Sequence, residues 1–303
     1  MNRSRILILG GSGYIGRRMY DHLGPSRARA THHTRPFPGS LAWDPACLLS
    51  DDWLEKHGPF SHALILFGAT RVEACARDPE GSDRINITRV QETIRACLIR
   101  RIHPVFTSSD VVFDGQKGHY SPEDPPSPLV RYGRQKLTIE RFLQESGADC
   151  TIVRLPKVYD ADPASPGLLT HWWQAIRQGQ PIRCAADRIF SPVSVTDATR
   201  GLTALIDQGL TGLWHLGGPR AISMAELFSL LLDRLRATGI PLPPIEHTVC
   251  RINDLGFLET WPQDISLDPA PWIRATGIQP RTPLEMVESF IARLQLPFGH
   301  QWG

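Results

Sequence analysis

RILILGGSGYIG, residues 5–16, joins a short apolar run to a turn that carries glycine at positions 10, 13 and 16. An apolar run of this length is typical of a buried parallel strand, and residues 17–23 can continue as a helix. A strand, a glycine-rich turn and a helix in this order form the setting that a dinucleotide site requires. The stretch therefore predicts an α/β fold with a nucleotide-binding unit at its start.

Each glycine of this turn has a predicted role. Gly10 allows the tight turn, Gly13 lets the backbone approach a pyrophosphate, and Gly16 lets the helix pack closely on the strand. The alternative interpretation is a glycine-rich turn that binds nothing. The other predicted cofactor contacts in the turn are Ser12, Tyr14 and Ile15.

Composition excludes several classes of function. The chain has 303 residues, of which 41% are hydrophobic and 21% charged, as is ordinary for a globular protein. A net charge of +2 gives no electrostatic reason to expect nucleic acid or an anionic membrane as a partner. Six scattered cysteines lack the spacing of a metal site, so we expect reduced thiols, no metal and a cytoplasmic location.

The N-terminus resembles the basic start of a signal peptide. The apolar run that follows it, residues 6–9, stops at glycine and is too short for a secretory h-region. No apolar run approaches the length of a transmembrane helix. We therefore expect neither a leader nor a membrane anchor.

The end of the second predicted strand, residues 28–33, indicates which nicotinamide cofactor is used. An Asp or Glu at this point would bind the ribose 2′-OH of NAD, and neither is present. Thr34 and Arg35 stand there instead, and a guanidinium suits a 2′-phosphate. The sequence thus favours NADPH over NADH, unless Arg35 only begins a solvated loop ahead of Pro36.

Two further strands are predicted before a long helix. Residues 40–43 form the third strand, with Asp44 placed to contact adenine, and residues 62–67 form the fourth. Small residues after a central strand let a ligand lie against the backbone. Asn86 interrupts the helix predicted at 81–101, either on a solvated face or buried against nearby backbone. The fourth strand ends in predicted cofactor contacts Phe67, Gly68 and Ala69 and a predicted substrate contact, Thr70.

The reactive groups are predicted at the next strand and helix. Residues 103–107 form a strand that ends in hydroxyl side chains, and residues 129–145 form a helix. Tyr132 and Lys136 are four residues apart and so share one helix face. A neighbouring ammonium favours the phenolate and so lowers a tyrosine pKa towards useful acid–base chemistry. The alternative is an ordinary pair on a helix surface.

Several motifs together resemble a known superfamily. They are the glycine turn, Ser108-Ser109-Asp110, Phe113-Asp114-Gly115, the proline-rich residues 120–126 and Tyr132-Gly133-Arg134-Gln135-Lys136. This set resembles the extended short-chain dehydrogenase/reductases, and within them the dTDP-4-dehydrorhamnose reductase-like, sugar-nucleotide-binding branch. Residues 190–197, 213–218 and 262–284 are similar to later motifs of the same branch.

The resemblance implies a Rossmann-type doubly wound parallel sheet with a small C-terminal substrate-binding lobe. The NAD(P)-binding domain would comprise residues 1–158 plus about 189–219, and the lobe about 159–188 plus 220–303. Ser109 would hold the carbonyl oxygen of a nucleotide-linked sugar, Tyr132 would protonate it, and Lys136 would bind the nicotinamide ribose and tune Tyr132. The implied activity is NADPH-dependent reduction of a sugar keto group.

The sequence departs from the branch where a substrate would bind. Val111 replaces a tyrosine, Lys157 replaces a tryptophan, and Trp261 stands where arginine is common. Lys157 either meets a polar or acidic sugar substituent or points to solvent. Trp172 either packs on a base or sugar or belongs to the core or a dimer contact. The full set of predicted substrate contacts is Thr70, Asp110, Val111, Lys157, Trp172 and Arg188.

Two other functions remain open at this point. An epimerase or dehydratase of the same superfamily would oxidise and re-reduce the sugar with a retained NAD. A regulatory subunit would bind NADP without turnover, as some members of the branch do. The residues also leave open whether the chain forms a homodimer.

Overall fold

The computed structural model describes residues 5–295. The basic start at residues 1–4 and the end of the predicted lobe at residues 296–303 lie outside the described residues. Within the described range, no helix is both long enough and apolar enough to cross a membrane.

Strands and helices alternate through most of the chain. The strands are β1 (Arg5–Leu9), β2 (Ala28–His32), β3 (Leu41–Ala42), β4 (Phe60–Ile65), β5 (His103–Ser109), β6 (Thr151–Leu155), β7 (Val158–Tyr159), β8 (Ile182–Ala185), β9 (Ile189–Phe190), β10 (Val193–Ser194), β11 (Gly212–His215), β12 (Ile222–Ser223) and β13 (His247–Cys250). The α-helices are α1 (Tyr14–Arg27), α2 (Asp51–His57), α3 (Val72–Arg77), α4 (Pro79–Asp83), α5 (Val90–Ile99), α6 (Arg131–Glu145), α7 (Leu168–Arg177), α8 (Val195–Asp207), α9 (Met224–Ala237), α10 (Ala270–Thr276) and α11 (Pro283–Leu294).

Seven parallel strands form the central sheet, in the order β11-β6-β5-β4-β1-β2-β3. The chain moves outward from β1 to β3 and then crosses to the other side of β1 with β4. This reversal creates a crevice beyond the carboxyl ends of β1 and β4, where open α/β sheets bind ligands. The predicted Rossmann-type parallel sheet is confirmed.

Apolar side chains cover both faces of the sheet. Helices α1, α8 and α10 pack on one face, and α2, α5 and α6 pack on the other. The strands are buried on both sides, which explains why β1 and β4 carry continuous apolar runs rather than an alternating pattern. A third apolar cluster joins α7, α9 and α11 to residues that follow β5.

The helix predicted at residues 81–101 is interrupted by a π-helical turn, Arg84–Arg89. The extra residue in this turn rotates Asn86 inward, where its side chain is 4% exposed. Of the two positions that the sequence left open for Asn86, the structure has the buried one.

A buried ion pair fixes α6 against the sheet. The guanidinium of Arg154 on β6 donates to both carboxylate oxygens of Glu140 on α6, with an Nη2–Oε2 distance of 2.6 Å. His215 on β11 completes the group, with its Nε2 3.2 Å from Arg154 Nη1. Burial and the neighbouring guanidinium lower the pKa of His215 to about 3, so this imidazole is neutral. These contacts fix α6, β6 and β11 relative to one another.

Candidate functional site

The glycine turn between β1 and α1 is tied to the neighbouring strand. The Gly10 N–H donates to Thr31 Oγ1 at 3.1 Å, and the Ser12 N–H donates to the Thr31 carbonyl at 3.1 Å. The Gly13 N–H closes the turn by donating to the Gly10 carbonyl at 3.0 Å. These hydrogen bonds fix the backbone of the turn, so that a ligand can lie against it.

Gly16 brings α1 close to this turn. A Cβ atom at Gly16 would lie 2.3 Å from the Gly10 carbonyl oxygen, so only glycine allows the observed approach. The first turn of α1 has no acidic residue, and no side chain caps its N-terminus at Gly13. Free N–H groups at a helix N-terminus suit a phosphate group.

A groove of about 1650 Å³ runs along the carboxyl ends of the strands. Arginines at positions 17, 18, 35 and 71 line it, together with the glycine turn. The predicted cofactor residues in its lining are Gly10, Ser12, Gly13, Tyr14, Ile15, Gly16, Thr34, Arg35, Phe67, Gly68, Tyr132 and Lys136.

Asp44 and Ala69, also predicted as cofactor contacts, lie beside the groove rather than in its lining. The Asp44 carboxylate accepts a hydrogen bond from the Ala46 N–H at 2.8 Å and lies 3.5 Å from His33 Nε2. The Ala69 backbone is bound by Asn86. Both groups already have partners in the protein, and their neighbours Trp43 and Gly68 reach the groove instead.

Two buried hydroxyls in the groove indicate a polar ligand. Ser108 Oγ and Tyr14 Oη are buried, and neither has a hydrogen-bond partner among the described residues. Buried polar groups normally have partners, so these two are suited to a bound molecule. With the glycine turn and the arginines, the groove fits a dinucleotide. Ser108 is not among the site residues predicted from the sequence, although its place at the end of β5 was a signal.

Helix α6 brings Tyr132 beside the end of β5. A Cβ atom at Gly133 would lie 2.2 Å from the Val111 carbonyl oxygen, so glycine lets α6 approach the 3-10 turn Asp110–Val112. Tyr132 and Ser109 line the same two cavities as a result. The structure brings together the three residues predicted to carry the chemistry.

Lys136 is buried behind Tyr132. Its ammonium donates to the Thr107 carbonyl at 2.8 Å and lies 5.5 Å from the centre of the Tyr132 ring. Burial lowers the pKa of Lys136 to about 8. The residue is 8% exposed, on the wall of the groove.

The pKa of Tyr132 moves in the opposite direction from the sequence-based expectation. Burial raises it well above the ordinary value, and the nearby Cys75 and Asp110 add to the rise. Removal of the phenol from water disfavours the phenolate and sets the direction of the shift. Tyr132 is therefore a neutral phenol in this protein.

A hydrogen-bonded network connects α6 to the loop after β4. Asn86 accepts from the Ala69 N–H at 2.8 Å, donates to the Ala69 carbonyl at 2.9 Å and donates to Gln135 Oε1 at 2.7 Å. Gln135 in turn donates to Ser82 Oγ at 2.8 Å. Gly68 and Thr70, on either side of Ala69, line the groove, so the network positions one groove wall relative to Tyr132.

A second cavity, of about 320 Å³, adjoins the groove at Ser109 and Tyr132. The remainder of its wall is largely apolar and comes from segments far apart in the chain, with Phe190, Met224, Phe257 and Trp261 among them. Phe257 is not among the residues predicted from the sequence, because it lies in an irregular segment without periodicity. The predicted substrate residues in this wall are Thr70, Asp110, Val111, Lys157 and Arg188.

Asp110 is the one carboxylate in the lining of this cavity, among the residues that the structure describes. It accepts a hydrogen bond from Ser109 Oγ at 3.0 Å. Burial raises its pKa from 3.8 to about 6, although Arg188, Ser109 and Lys157 oppose the rise.

Trp172 is not the substrate contact that the sequence predicted. Its side chain is 2% exposed and meets the Phe228 ring edge-on, with the ring centres 5.3 Å apart. It lies in the apolar cluster between α7 and α9 and lines neither cavity. The amphipathic pattern of α7 turns this large apolar ring inward, so Trp172 belongs to the core and not to the predicted substrate contacts.

No group of three or more His, Cys, Asp or Glu side chains within residues 5–295 could hold a metal ion.

Comparison with known proteins finds relatives of two kinds, reductases and a subunit of methionine adenosyltransferase. The probable low-salt glycan biosynthesis reductase Agl14 of Haloferax volcanii is 29% identical over 161 residues, or 52% of this chain and 54% of the relative. The chain thus matches about half the length of that protein. Methionine adenosyltransferase 2 subunit beta of Rattus norvegicus is 26% identical over 296 residues, or 93% of this chain and 85% of the relative.

The solved structure of dTDP-4-dehydrorhamnose reductase from Bacillus anthracis, in complex with NADP, has a TM-score of 0.81. It is 20% identical, and the match covers 96% of this chain and 99% of that one, which supports the fold. The model of the RmlD substrate binding domain matches residues 4–295, and the resemblance found in the sequence is confirmed. Because that match spans nearly the whole chain, the protein belongs to the RmlD substrate binding domain family.

Proposed function

We propose that this protein uses NADPH to reduce a keto group on a nucleotide-linked sugar. One observation carries the proposal. Ser109 and Tyr132 stand on the wall that the dinucleotide-shaped groove shares with the smaller cavity. Groups in this position can act on a substrate in one cavity while a cofactor lies in the other.

The relatives support each half of this proposal. The Bacillus anthracis reductase was solved with NADP, and its name states a keto sugar linked to dTDP. The Haloferax volcanii relative is named a glycan biosynthesis reductase. In this chain, Arg35 lines the groove, and no acidic residue occupies positions 33–35 at the end of β2. This choice of side chains suits the 2′-phosphate of NADPH.

The chemistry of the chain's own residues follows from their positions. A bound nicotinamide would supply the hydride. Tyr132 would donate its phenol proton to the developing alkoxide, and Ser109 would hold that oxygen by a hydrogen bond. Lys136 would bind the cofactor ribose, and its positive charge would stabilise the tyrosinate that remains.

The end of β2 favours reduction over the epimerase or dehydratase alternative. Those reactions use a retained NAD, whose ribose 2′-OH an Asp or Glu at this point would bind. Positions 33–35 carry no acid, and Arg35 suits the 2′-phosphate of NADPH instead. Tyr132, as a neutral phenol, can serve as the proton donor of the reduction.

The proposal is tested with a panel of UDP- and dTDP-linked 4-keto sugars incubated with NADPH. We expect loss of NADPH absorbance with one of them and a product in which the keto group has become a hydroxyl. Epimerised product without net loss of NADPH would support the alternative instead. NADPH binding without turnover of any keto sugar would contradict the reductase proposal.

A second candidate is an NADP-binding subunit without turnover. It is favoured by the match to methionine adenosyltransferase 2 subunit beta, which extends over 93% of this chain. The discriminating measurement is whether the purified chain raises or lowers the activity of a methionine adenosyltransferase catalytic subunit. Copurification and a changed rate, combined with no keto-sugar reduction, would favour this candidate.

A further inference from the structure

The small cavity contains an unusual set of charges for a neutral sugar. Two cations, Lys157 and Arg188, line it together with one carboxylate, Asp110. Asp110 and Arg188 are buried, where a charge is costly unless it has a partner, and Lys157 lines the same cavity from an exposed position. The formal charges of the side chains in this lining sum to +1.

Lys157 is the cation with fewer protein contacts. Its side chain lines the cavity from an exposed position, and its ammonium makes no hydrogen bond or ion pair within the part of the chain that the structure describes. Desolvation lowers the pKa of Lys157, with Asp110 favouring and Arg188 opposing the charged form. Lys157 thus has three donors available for a ligand.

Arg188 is held rigidly in place. Its Nη1 donates to the Pro262 carbonyl, and its guanidinium lies 5.2 Å from the centre of the Trp261 ring. Two other carboxylates affect it electrostatically, Asp187 and Asp264. Both are engaged elsewhere, Asp187 with the Ile252 N–H at 2.7 Å and Asp264 with Ser266 Oγ at 2.6 Å. Neither lines the cavity.

The position of these cations indicates which part of a substrate they meet. Asp110 accepts a hydrogen bond from Ser109, which lies at the proposed reacting carbonyl, and Asp110 interacts electrostatically with both cations. Pro156, the residue before Lys157, lines both cavities next to Tyr132. An anion bound here would lie close to the proposed reacting carbonyl, as a substituent of the sugar ring does.

We propose that the sugar carries a carboxylate, as a hexuronic acid does, and that Lys157 and Arg188 bind it. This inference rests on the proposed function, since it names the class of sugar that the same site would reduce. The carboxylate would supply the missing counter-charge, and Lys157 would make a charge-assisted hydrogen bond with it. Arg188, which is buried, would bind the same carboxylate in surroundings of low polarity, where a charged hydrogen bond is stronger than in water.

The test measures binding to the protein saturated with NADP⁺, by isothermal titration calorimetry. The probes are UDP-glucuronate, UDP-glucose and their dTDP counterparts, so that only the carboxylate differs within each pair. We expect the glucuronate to bind about 10- to 100-fold more tightly than the glucose, the range of one hydrogen bond to a charged group. Lys157→Gln should remove most of that preference and leave the affinity for the glucose nucleotide within about threefold.

Two further variants control this measurement. Lys157→Arg keeps the charge and should keep the preference. Lys56→Gln removes an exposed cation on α2, outside the cavity lining, and should change neither affinity.

If Lys157→Gln weakens both members of a pair and UDP alone equally, the cation binds the diphosphate and the inference is wrong. Equal binding of both sugars by the unmutated protein overturns it as well. If no nucleotide binds while NADPH does, the proposed function fails, and the inference fails with it.

Discussion

The glycine turn of the large groove and the wall of the small cavity are built in different ways. The turn is one continuous stretch, residues 10–16, although the rest of the groove lining includes strand ends and loops as far along the chain as Pro166. The cavity collects residues from segments that run from Thr70 to Trp261. The turn depends on local backbone geometry, and the cavity depends on how distant elements pack. A local motif can therefore identify the groove, while the cavity appears only in the folded chain.

The two cavities also differ in how they treat charge. The groove offers backbone N–H groups and several arginines with access to water. The cavity places three charged side chains against apolar walls, and the pKa of each of the three is shifted by burial. Substitution of a residue that lines both cavities should slow the reaction and leave both ligands bound. Substitution of a residue that lines only one cavity should weaken the binding of one ligand alone.

The largest expected effect is that of Tyr132→Phe on the shared wall. Phenylalanine keeps the ring and its packing but has no transferable proton, so the rate of hydride transfer should fall by about 10²–10⁴. Affinities for NADPH and for the sugar nucleotide should stay within about threefold. Single-turnover kinetics and NADPH fluorescence measure the two quantities.

Tyr120→Phe is the matched control for this variant. Tyr120 is buried like Tyr132, but its hydroxyl donates to Asp114 and lies outside both cavities. Its loss should lower stability and leave hydride transfer intact. A Tyr132→Phe protein with the unmutated rate would show that another group donates the proton.

Lys136→Met should affect the groove and the chemistry together. The variant loses the ammonium that lies beside the Tyr132 ring and donates to the Thr107 carbonyl. We expect about a 10²-fold lower rate, in the range of positioned acid–base groups, and about a 10-fold weaker NADPH affinity from the lost charged hydrogen bond. A normal NADPH affinity would contradict the assignment of Lys136 to the cofactor ribose.

Asp110→Asn tests the electrostatics of the cavity through stability. Burial raises the folded-state pKa of Asp110 above its unfolded value, from 3.8 to about 6. Well below pH 3.8 both states are protonated and the carboxyl has no effect on stability. As the pH rises to about 6, the folded state holds its proton longer, so the free energy of unfolding falls. Above that range the loss is constant, at about 3 kcal/mol.

The variant should remove this loss, because asparagine keeps the acceptor for Ser109 and carries no charge. Chemical denaturation at pH 7.5 should give a higher free energy of unfolding for Asp110→Asn than for the parent. At pH 4 the two proteins should have nearly the same stability. An equal difference at both pH values would mean that the carboxyl is not the titrating group.

The sequence predicted features that depend on local chemistry. The glycine turn, the parallel strands and the spacing of Tyr132 and Lys136 each follow from the character of a few neighbouring residues. The resemblance to a family then supplied Ser109 and the fold. Trp261, noted only as a departure, proved to be part of the cavity wall.

The sequence could not predict features that depend on packing. Trp172 could have faced a ligand or the core, and only the contact with Phe228 decides this. Asn86 lies inward because a π-helical turn rotates it, and this turn has no period of its own in the sequence. The pKa of Tyr132 was expected to fall because the neighbouring cation is visible in the sequence, whereas its burial is not.

The smallest expected effect is that of Arg35→Ala, which should change cofactor preference and leave the binding of the sugar nucleotide as it is. Arg35 lines the groove and is exposed there, far from the residues that line the cavity. Arg35→Ala should narrow the preference for NADPH over NADH by about 1–3 kcal/mol, the worth of a hydrogen bond to a charged group, because its guanidinium would no longer bind the 2′-phosphate. NADH affinity, sugar-nucleotide affinity and the single-turnover rate at saturating NADPH should stay the same.

Arg141→Ala, which removes an exposed guanidinium from α6 outside both cavities, should leave the cofactor preference unchanged. Fluorescence titrations with both cofactors measure the gap, and equal affinities in the unmutated protein would mean that Arg35 does not select the cofactor. A loss of NADH affinity equal to that of NADPH would instead assign Arg35 to the part that the two cofactors share, such as the pyrophosphate or the adenine.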